Sequence, residues 1–413
     1  MKATADIGDD GGVGNGDGER SSAWTVFRTF LRLGLTSFGG PIAHLGFFRS
    51  EFVDRRKWLE EAHYADIVAL SQFLPGPASS KVGIIIGVLR AGMPGAVAAW
   101  LGFTMPSAAA LIVFGYGVAA IGNLAAAAWL HGLKIVAVAV VAQAVWGMAR
   151  NLCPDRERQA IAAAAAVLAL AAPSTLGQVG AIVLGGLIGW RFLPGETIAL
   201  SPLPLRISRR WSIGAIVLFF GLLVALPLAG AATGSHLIAL VDAFYRSGSL
   251  VFGGGHVVLP LLQAATVRPG WVGNDAFLAG YGAAQAVPGP LFTFAAYLGT
   301  VMGPQPNGWL GGVICLGAIF LPSFFLAIGP LHFWNWMRRQ PVARAVLKGV
   351  NAAVVGLLLA ALYNPVWTSA IHAPADFAIV VTALLLLTSW KVPPWLVVVL
   401  GALAAQGVAA LAR

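Results

Sequence analysis

Charge is what this sequence has least of. Only 10% of its 413 residues are Asp, Glu, Lys or Arg, against about 25% in a typical soluble domain, which excludes an ordinary water-soluble globule. Cysteine is almost absent. The two present, Cys153 and Cys315, form neither a disulfide framework nor a metal-ligand spacing, and both read as packing residues. No GxxxxGK[ST] run occurs, so ATP is not bound by that route. The seven histidines include no HExxH and no pair at helical spacing, and no metal or cofactor is expected. The formal charge of +10 has no interleaved basic and aromatic surface behind it. It reads as loop bias in a membrane protein, with no nucleic-acid partner. Residues 1–22 are rich in Gly and Asp and lack an apolar core, so they read as a disordered cytoplasmic tail rather than a signal peptide.

What remains is apolar and repetitive. Hydrophobic residues make up 58% of the chain, with 51 Gly, 22 Phe and 14 Trp, and the mean hydropathy is +0.81. Membrane helices are enriched in Gly, and membrane interfaces in Trp, so the chain is an integral membrane protein. It also repeats itself in order. Phe30, Arg32, Gly34, Phe38, Gly39 and Gly40 recur as Phe244, Arg246, Gly248, Phe252, Gly253 and Gly254. Trp58, Gln72 and Pro75-Gly76-Pro77 recur as Trp271, Gln285 and Pro288-Gly289-Pro290, Pro106-Ser107 as Pro322-Ser323, and Lys134 as Lys348. The implied organisation is a tail (1–22), a first repeat (23–192), a basic linker with one connecting helix (193–234) and a second repeat (235–413).

Apolar stretches at 94–121, 125–149, 159–172 and 174–190 predict four helices closing the first half. A single stretch at 211–230 follows the basic linker around Arg206, Arg209 and Arg210, and 308–333, 341–363, 376–390 and 393–412 close the second half. The leading segments of each half are interrupted at Gly39-Gly40-Pro41 and Pro75-Gly76-Pro77, then at Gly253-Gly254-Gly255 and Pro288-Gly289-Pro290. Each resulting arm is marginal for the ~20 residues a crossing needs, so each pair of arms is a broken spanning helix or a re-entrant hairpin. Hairpins place Arg49, Arg55, Arg56 and Lys57 on the same side as Arg90, Arg150, Arg156, Arg158 and Arg191, which suits the positive-inside rule. In either case one helix joins two evenly crossing halves and the second half is upside down. The fold class is therefore an all-α polytopic membrane protein of two inverted halves with discontinuous or re-entrant helices, the architecture of secondary transporters.

A break inside a membrane helix leaves backbone groups that only protein or a wet cavity can satisfy. In "QFLPGPASSK" (72–81) the helix starting after Pro77 aims its amides and positive dipole end at the break. Ser79 and Ser80 add hydroxyls, and Lys81 is a cation placed where a helix N-terminus disfavours one unless an anion shares the site. The stretch reads as an oxyanion cradle, with plain capping and a snorkelling or carbonyl-bound lysine as the structural alternative. Candidate substrate-binding residues are Arg32, Gly39, Gly40, Pro41, Gln72, Pro75, Gly76, Pro77, Ser79, Ser80 and Lys81. Gly253, Gly254, Gly255, Gln285, Pro288, Gly289 and Pro290 form the matching scaffold of the second half. Asp66, Lys134, Arg246 and Lys348 are candidates for coupling or charge relay, with Asp242 a ready ion-pair partner for Arg246.

The "SFGGP" and "LPGPASSK" of one half, with "FGGGH" and "AVPGP" of the other, resemble the two-domain chromate ion transporter family over residues 24–413. The resemblance implies efflux of chromate, a tetrahedral dianion, across the bacterial cytoplasmic (inner) membrane, conferring chromate resistance, with no ATP and no cofactor. It implies chromate as substrate, sulfate as look-alike and competitor, and the lipid bilayer as surroundings; a homodimer is left open. A sulfate or other oxyanion carrier is the alternative. A membrane-embedded lipid-phosphate enzyme is remote, since neither paired acids nor a nucleophile stands near the breaks.

Overall fold

The structure is a computed structural model and describes residues 21–121, 127–195, 208–337 and 339–411. The expected tail therefore lies outside the described residues up to position 20, as do Arg206 and most of the linker. No strand occurs among the described residues. The first half comprises α1 (Ala23–Thr36), α2 (Gly40–Arg49), α3 (Glu61–Phe73), α4 (Ala78–Ala119), α5 (Ala128–Leu152), α6 (Arg156–Ala171) and α7 (Thr175–Phe192). The connecting helix is α8 (Arg209–Thr233). The second half runs through α9 (His236–Ser249), α10 (Val258–Leu262), α11 (Asn274–Ala284), α12 (Phe294–Val301), α13 (Gly308–Ile328), the short α14 (Trp334–Met337), α15 (Pro341–Ala361), α16 (Pro374–Thr388) and α17 (Pro394–Leu411). Among the described residues six helices are long and apolar enough to cross a membrane: α4, α5, α8, α13, α15 and α17.

The interrupted segments are hairpins. A continuous helix would hold Phe30 and Phe52 roughly 30 Å apart at its ~1.5 Å rise, yet their rings lie 5.1 Å apart and Phe30 also meets Phe48 at 5.5 Å. After Gly39 the chain thus turns back along α1. The α3–α4 pair closes at the same mouth: the Arg90 guanidinium lies 5.0 Å from the Trp58 ring and also donates to Ser21 Oγ at 3.1 Å. At Ala91 and Gly92 the backbone of α4 leaves helical geometry. This corner turns a short returning arm into a crossing helix, and Gly87 and Gly95 let the two parts touch backbone to backbone.

The second half copies this from the other side. His236, at the start of α9, packs its ring 4.7 Å from Trp271, so the arms on either side of Gly253 share a mouth. Tyr297 Oη donates to the Ala276 carbonyl at 2.8 Å, and the Gly303 amide donates to the Trp271 carbonyl at 2.9 Å. Both contacts fold α12 back along α11. The far end of α4 meets the start of α13, where Tyr116 Oη accepts from the Trp309 amide at 2.8 Å. The crossing helix of one half therefore ends at the hairpin mouth of the other, and the halves are inverted.

Small residues set the contacts that hold the hairpins in place. A Cβ on Gly34 of α1 would come within 2.6 Å of the Gly102 carbonyl of α4, and one on Gly248 of α9 within 2.1 Å of the Ile319 carbonyl of α13. Only glycine allows such backbone approach, the usual device where lipid supplies no hydrophobic drive between helices.

At the first-half mouth, three of the four acids in residues 49–61 are paired with arginine. Arg49 pairs with Asp54 at 3.1 Å and Glu61 at 2.7 Å, and Glu51 takes Arg56 at 2.5 Å and Arg55 at 3.1 Å. Burial pushes the Glu51 carboxyl up, but the hydrogen bonds and charges of Arg56 and Arg55 outweigh it and hold it below its ordinary value.

Candidate functional site

The four breaks meet in pairs across the two halves. The Gly76 amide donates to the Val251 carbonyl at 2.6 Å, and the Gly289 amide donates to the Ser37 carbonyl at 2.9 Å. Val251 precedes the second-half Phe-Gly-Gly as Ser37 precedes the first-half one, so the two bonds are related by the internal inversion. Each Pro-Gly-Pro tip of one half is pinned to the glycine tip of the other. The geometry needs glycine: Gly76 and Gly289 sit at φ +94° and +93°, and Gly39 and Gly253 at +98° and +74°, a region other residues rarely enter. Prolines on both sides of Gly76 and Gly289 remove competing donors and keep the tips out of helix.

Side chains stitch the first-half tips together. His44 on α2 is buried, with Nε2 3.2 Å from the Ser37 carbonyl and Nδ1 3.4 Å from Ser79 Oγ. The tautomer carrying its proton on Nε2 satisfies both contacts, the Ser79 hydroxyl then donating to Nδ1. The Ser37 carbonyl thereby accepts from two sides, one of them the other half. Sequence reasoning missed His44, which sits in no motif and matches no histidine in the repeat.

Lys81 is fully buried, and its Nζ donates to the Leu74 carbonyl at 2.5 Å and the Pro75 carbonyl at 2.7 Å. This answers why a cation stands at the head of α4: it is in place at the carbonyl end of α3, where the dipole is negative. An ammonium carries three donors, and two are engaged here. The Ser80 hydroxyl is also buried and has no hydrogen-bond partner among the described residues.

The remaining candidates scatter. Arg32 and Gln72 are exposed on α1 and α3, Gln285 is half-buried, and Asp66 is buried within α3. Gly40, Gly254, Gly255, Pro75, Pro77, Pro288 and Pro290 lie in the tips as expected, and the side chain of Pro41 lies outside the described residues. Lys134 pairs with Asp275 at 2.9 Å, tying α5 to the N-terminus of α11. Lys348 is half-buried on α15 and donates to the Pro194 carbonyl at 2.9 Å. Arg246 pairs with Asp242 one turn away. That pair, with Ser247 and Trp271, lines a cavity of about 320 Å³ between the arms of the α9 hairpin. The alanines 239, 243, 264 and 265 leave the room; in the first half the Phe30, Phe48 and Phe52 rings fill the corresponding hairpin. No cluster of three or more metal-ligating side chains occurs among the described residues.

The family model for chromate transporters matches residues 24–190 and again 238–406. The protein named chromate transport protein in Pseudomonas aeruginosa is 27% identical over 382 residues, covering 89% of this chain and 87% of that protein. A probable chromate transport protein of Synechococcus elongatus is 26% identical over 392 residues, 91% of this chain and 93% of that one. The chromate transport protein of Cupriavidus metallidurans is 24% identical over 372 residues, 87% and 86% of the two chains. No solved structure matches this chain. Two inverted copies of one motif-bearing half, both matched by the same family model, settle the assignment: the chain is a multi-pass membrane protein of the chromate transporter family.

Proposed function

We propose that the protein exports chromate across the bacterial cytoplasmic membrane as a secondary transporter, and so confers chromate resistance. The observation that carries this is the reciprocal pair of hydrogen bonds between the tips, Gly76 to Val251 and Gly289 to Ser37. Tips entering from opposite faces meet at one level, so parting them opens a path to one face or the other. A parted Gly76 amide loses its carbonyl partner inside the membrane, where an unsatisfied donor is costly, and an oxyanion is the natural replacement. The free proton of Lys81, the Ser80 hydroxyl and the first amides of α4 stand beside it. Charge-assisted hydrogen bonds of this kind contribute about 1.5–3 kcal/mol each, enough in combination to replace part of the dianion's water shell. Sulfate has the same shape and charge, and competes for the same donors.

The first-half mouth is taken as cytoplasmic because it gathers Arg49, Arg55, Arg56, Lys57 and Arg90; the cavity lined by Arg246 then lies on the exit side. Export is tested with everted membrane vesicles given an imposed proton or voltage gradient and no ATP. Chromate should accumulate inside them, and excess sulfate should slow it. Accumulation only in right-side-out vesicles would reverse the direction.

A further inference from the structure

The two crossing helices carry the repeated Pro-Ser, Pro106-Ser107 and Pro322-Ser323, outside the four tips. Each serine faces the Pro-Gly-Pro glycine of the opposite half: a Cβ on Gly289 would lie 3.0 Å from Ser107 Oγ, and one on Gly76 3.4 Å from Ser323 Oγ. The two hydroxyls differ in state. Ser107 donates to the Thr104 carbonyl at 3.1 Å. Ser323 is fully buried and its hydroxyl has no partner among the described residues. A serine inside a helix ordinarily bonds the carbonyl one turn back. For Ser323 that carbonyl belongs to Ile319 and is pressed against Gly248. A buried hydroxyl without a partner is costly, and this one is held at the break that also carries Ser79, Ser80 and Lys81.

We infer that the Ser323 hydroxyl is a donor to the transported oxyanion, supplied by the second half to the first-half break. Resting on the oxyanion-transport reading, it makes the substrate site composite: amide, hydroxyl and ammonium groups from one half, and one hydroxyl from the other. The pseudo-symmetric Ser107 is a packing residue whose hydrogen bond is closed within its own helix. The site is therefore one-sided despite the inverted repeat, and the Gly76 break is the one that holds the anion.

The test uses purified full-length protein in detergent and in proteoliposomes. Chromate and sulfate binding are measured by thermal stabilisation, and transport by chromate flux. Ser323→Ala should weaken binding of both anions and raise the chromate KM roughly ten-fold, as loss of one hydrogen bond to a charged group does, with kcat little changed. Ser107→Ala should keep KM within about two-fold. Ser323→Thr retains the hydroxyl and should restore much of the affinity, which separates donation from packing if Ser323→Ala folds poorly. Unchanged KM in Ser323→Ala, or equal shifts in Ser107→Ala, overturns the inference while leaving oxyanion transport standing. Wild-type protein that binds neither anion overturns both.

Discussion

The Gly76 amide and the Val251 carbonyl, 175 positions apart in the chain, are hydrogen-bonded at 2.6 Å. Their inverted counterparts, Gly289 and Ser37, make the same bond at 2.9 Å. Neither tip is complete within its own half, so the repeats depend on each other at the tips.

The two Pro-Gly-Pro glycines should fail differently when replaced. Alanine at either position must adopt positive φ, which costs about 1–2 kcal/mol. At Gly289 the new Cβ also lies 3.0 Å from Ser107 Oγ and 3.1 Å from the Phe103 carbonyl, whereas at Gly76 its nearest neighbours are at 3.4 Å. Gly289→Ala should therefore lower the thermal midpoint in detergent more than Gly76→Ala, while Gly76→Ala should still fold and lose most chromate transport. Equal midpoints would show that the packing difference has no energetic weight.

Lys81→Met removes an ammonium that holds the end of α3 and, in the proposed cycle, meets the anion. Both losses should appear: a lower thermal midpoint, and chromate affinity weakened about ten- to a hundred-fold for one charge-assisted bond. A lower midpoint with unaltered affinity would leave Lys81 as a strut between helices.

Glu51 supplies a pH dependence outside the membrane. Its folded carboxyl is held below the ordinary value because the Arg56 and Arg55 bonds outweigh its burial. Its stabilising contribution is therefore fully present above the unfolded value, about 4.3, and is lost as pH falls through the lower folded value. The hydrogen-exchange protection factors of residues 49–61, corrected for the intrinsic pH dependence of amide exchange, should fall on acidification below about pH 4, and Glu51→Gln should abolish the step. Protection factors that do not change with pH in the wild type would contradict this.

Much of the fold was legible because its signals are local. Apolar runs located the crossing helices to within a few residues, and the Gly and Pro punctuation marked all four tips. The even number of crossings in each half, with one helix joining them, also implied the inversion. What sequence could not supply was the pairing of tips across halves. Val251 and Ser37 contribute only backbone carbonyls, which any residue could provide, so no side-chain pattern marks them. Lys81 was singled out for its odd place at a helix start, yet its carbonyl partners on α3 follow from the tightness of the turn. Arg32 matched Arg246 in the repeat, but it sits exposed on α1 while Arg246 lines a cavity. The repeat preserves register, not the neighbours each copy meets.

Hairpins from opposite faces give a topological prediction. Single cysteines at Lys57 and Pro269, in a background lacking Cys153 and Cys315, should react with an impermeant thiol reagent from opposite sides of the membrane, position 57 from the cytoplasm. Labelling of both positions from one side would contradict the inverted arrangement.

The central claim, an oxyanion path through the paired tips, is tested most directly by chromate flux through purified protein in ATP-free liposomes under an imposed proton or voltage gradient. Wild-type protein should move chromate well above protein-free liposomes, and folded Gly76→Ala should reduce the flux at least ten-fold. Wild-type flux at the protein-free level, or full flux in Gly76→Ala, would contradict the account.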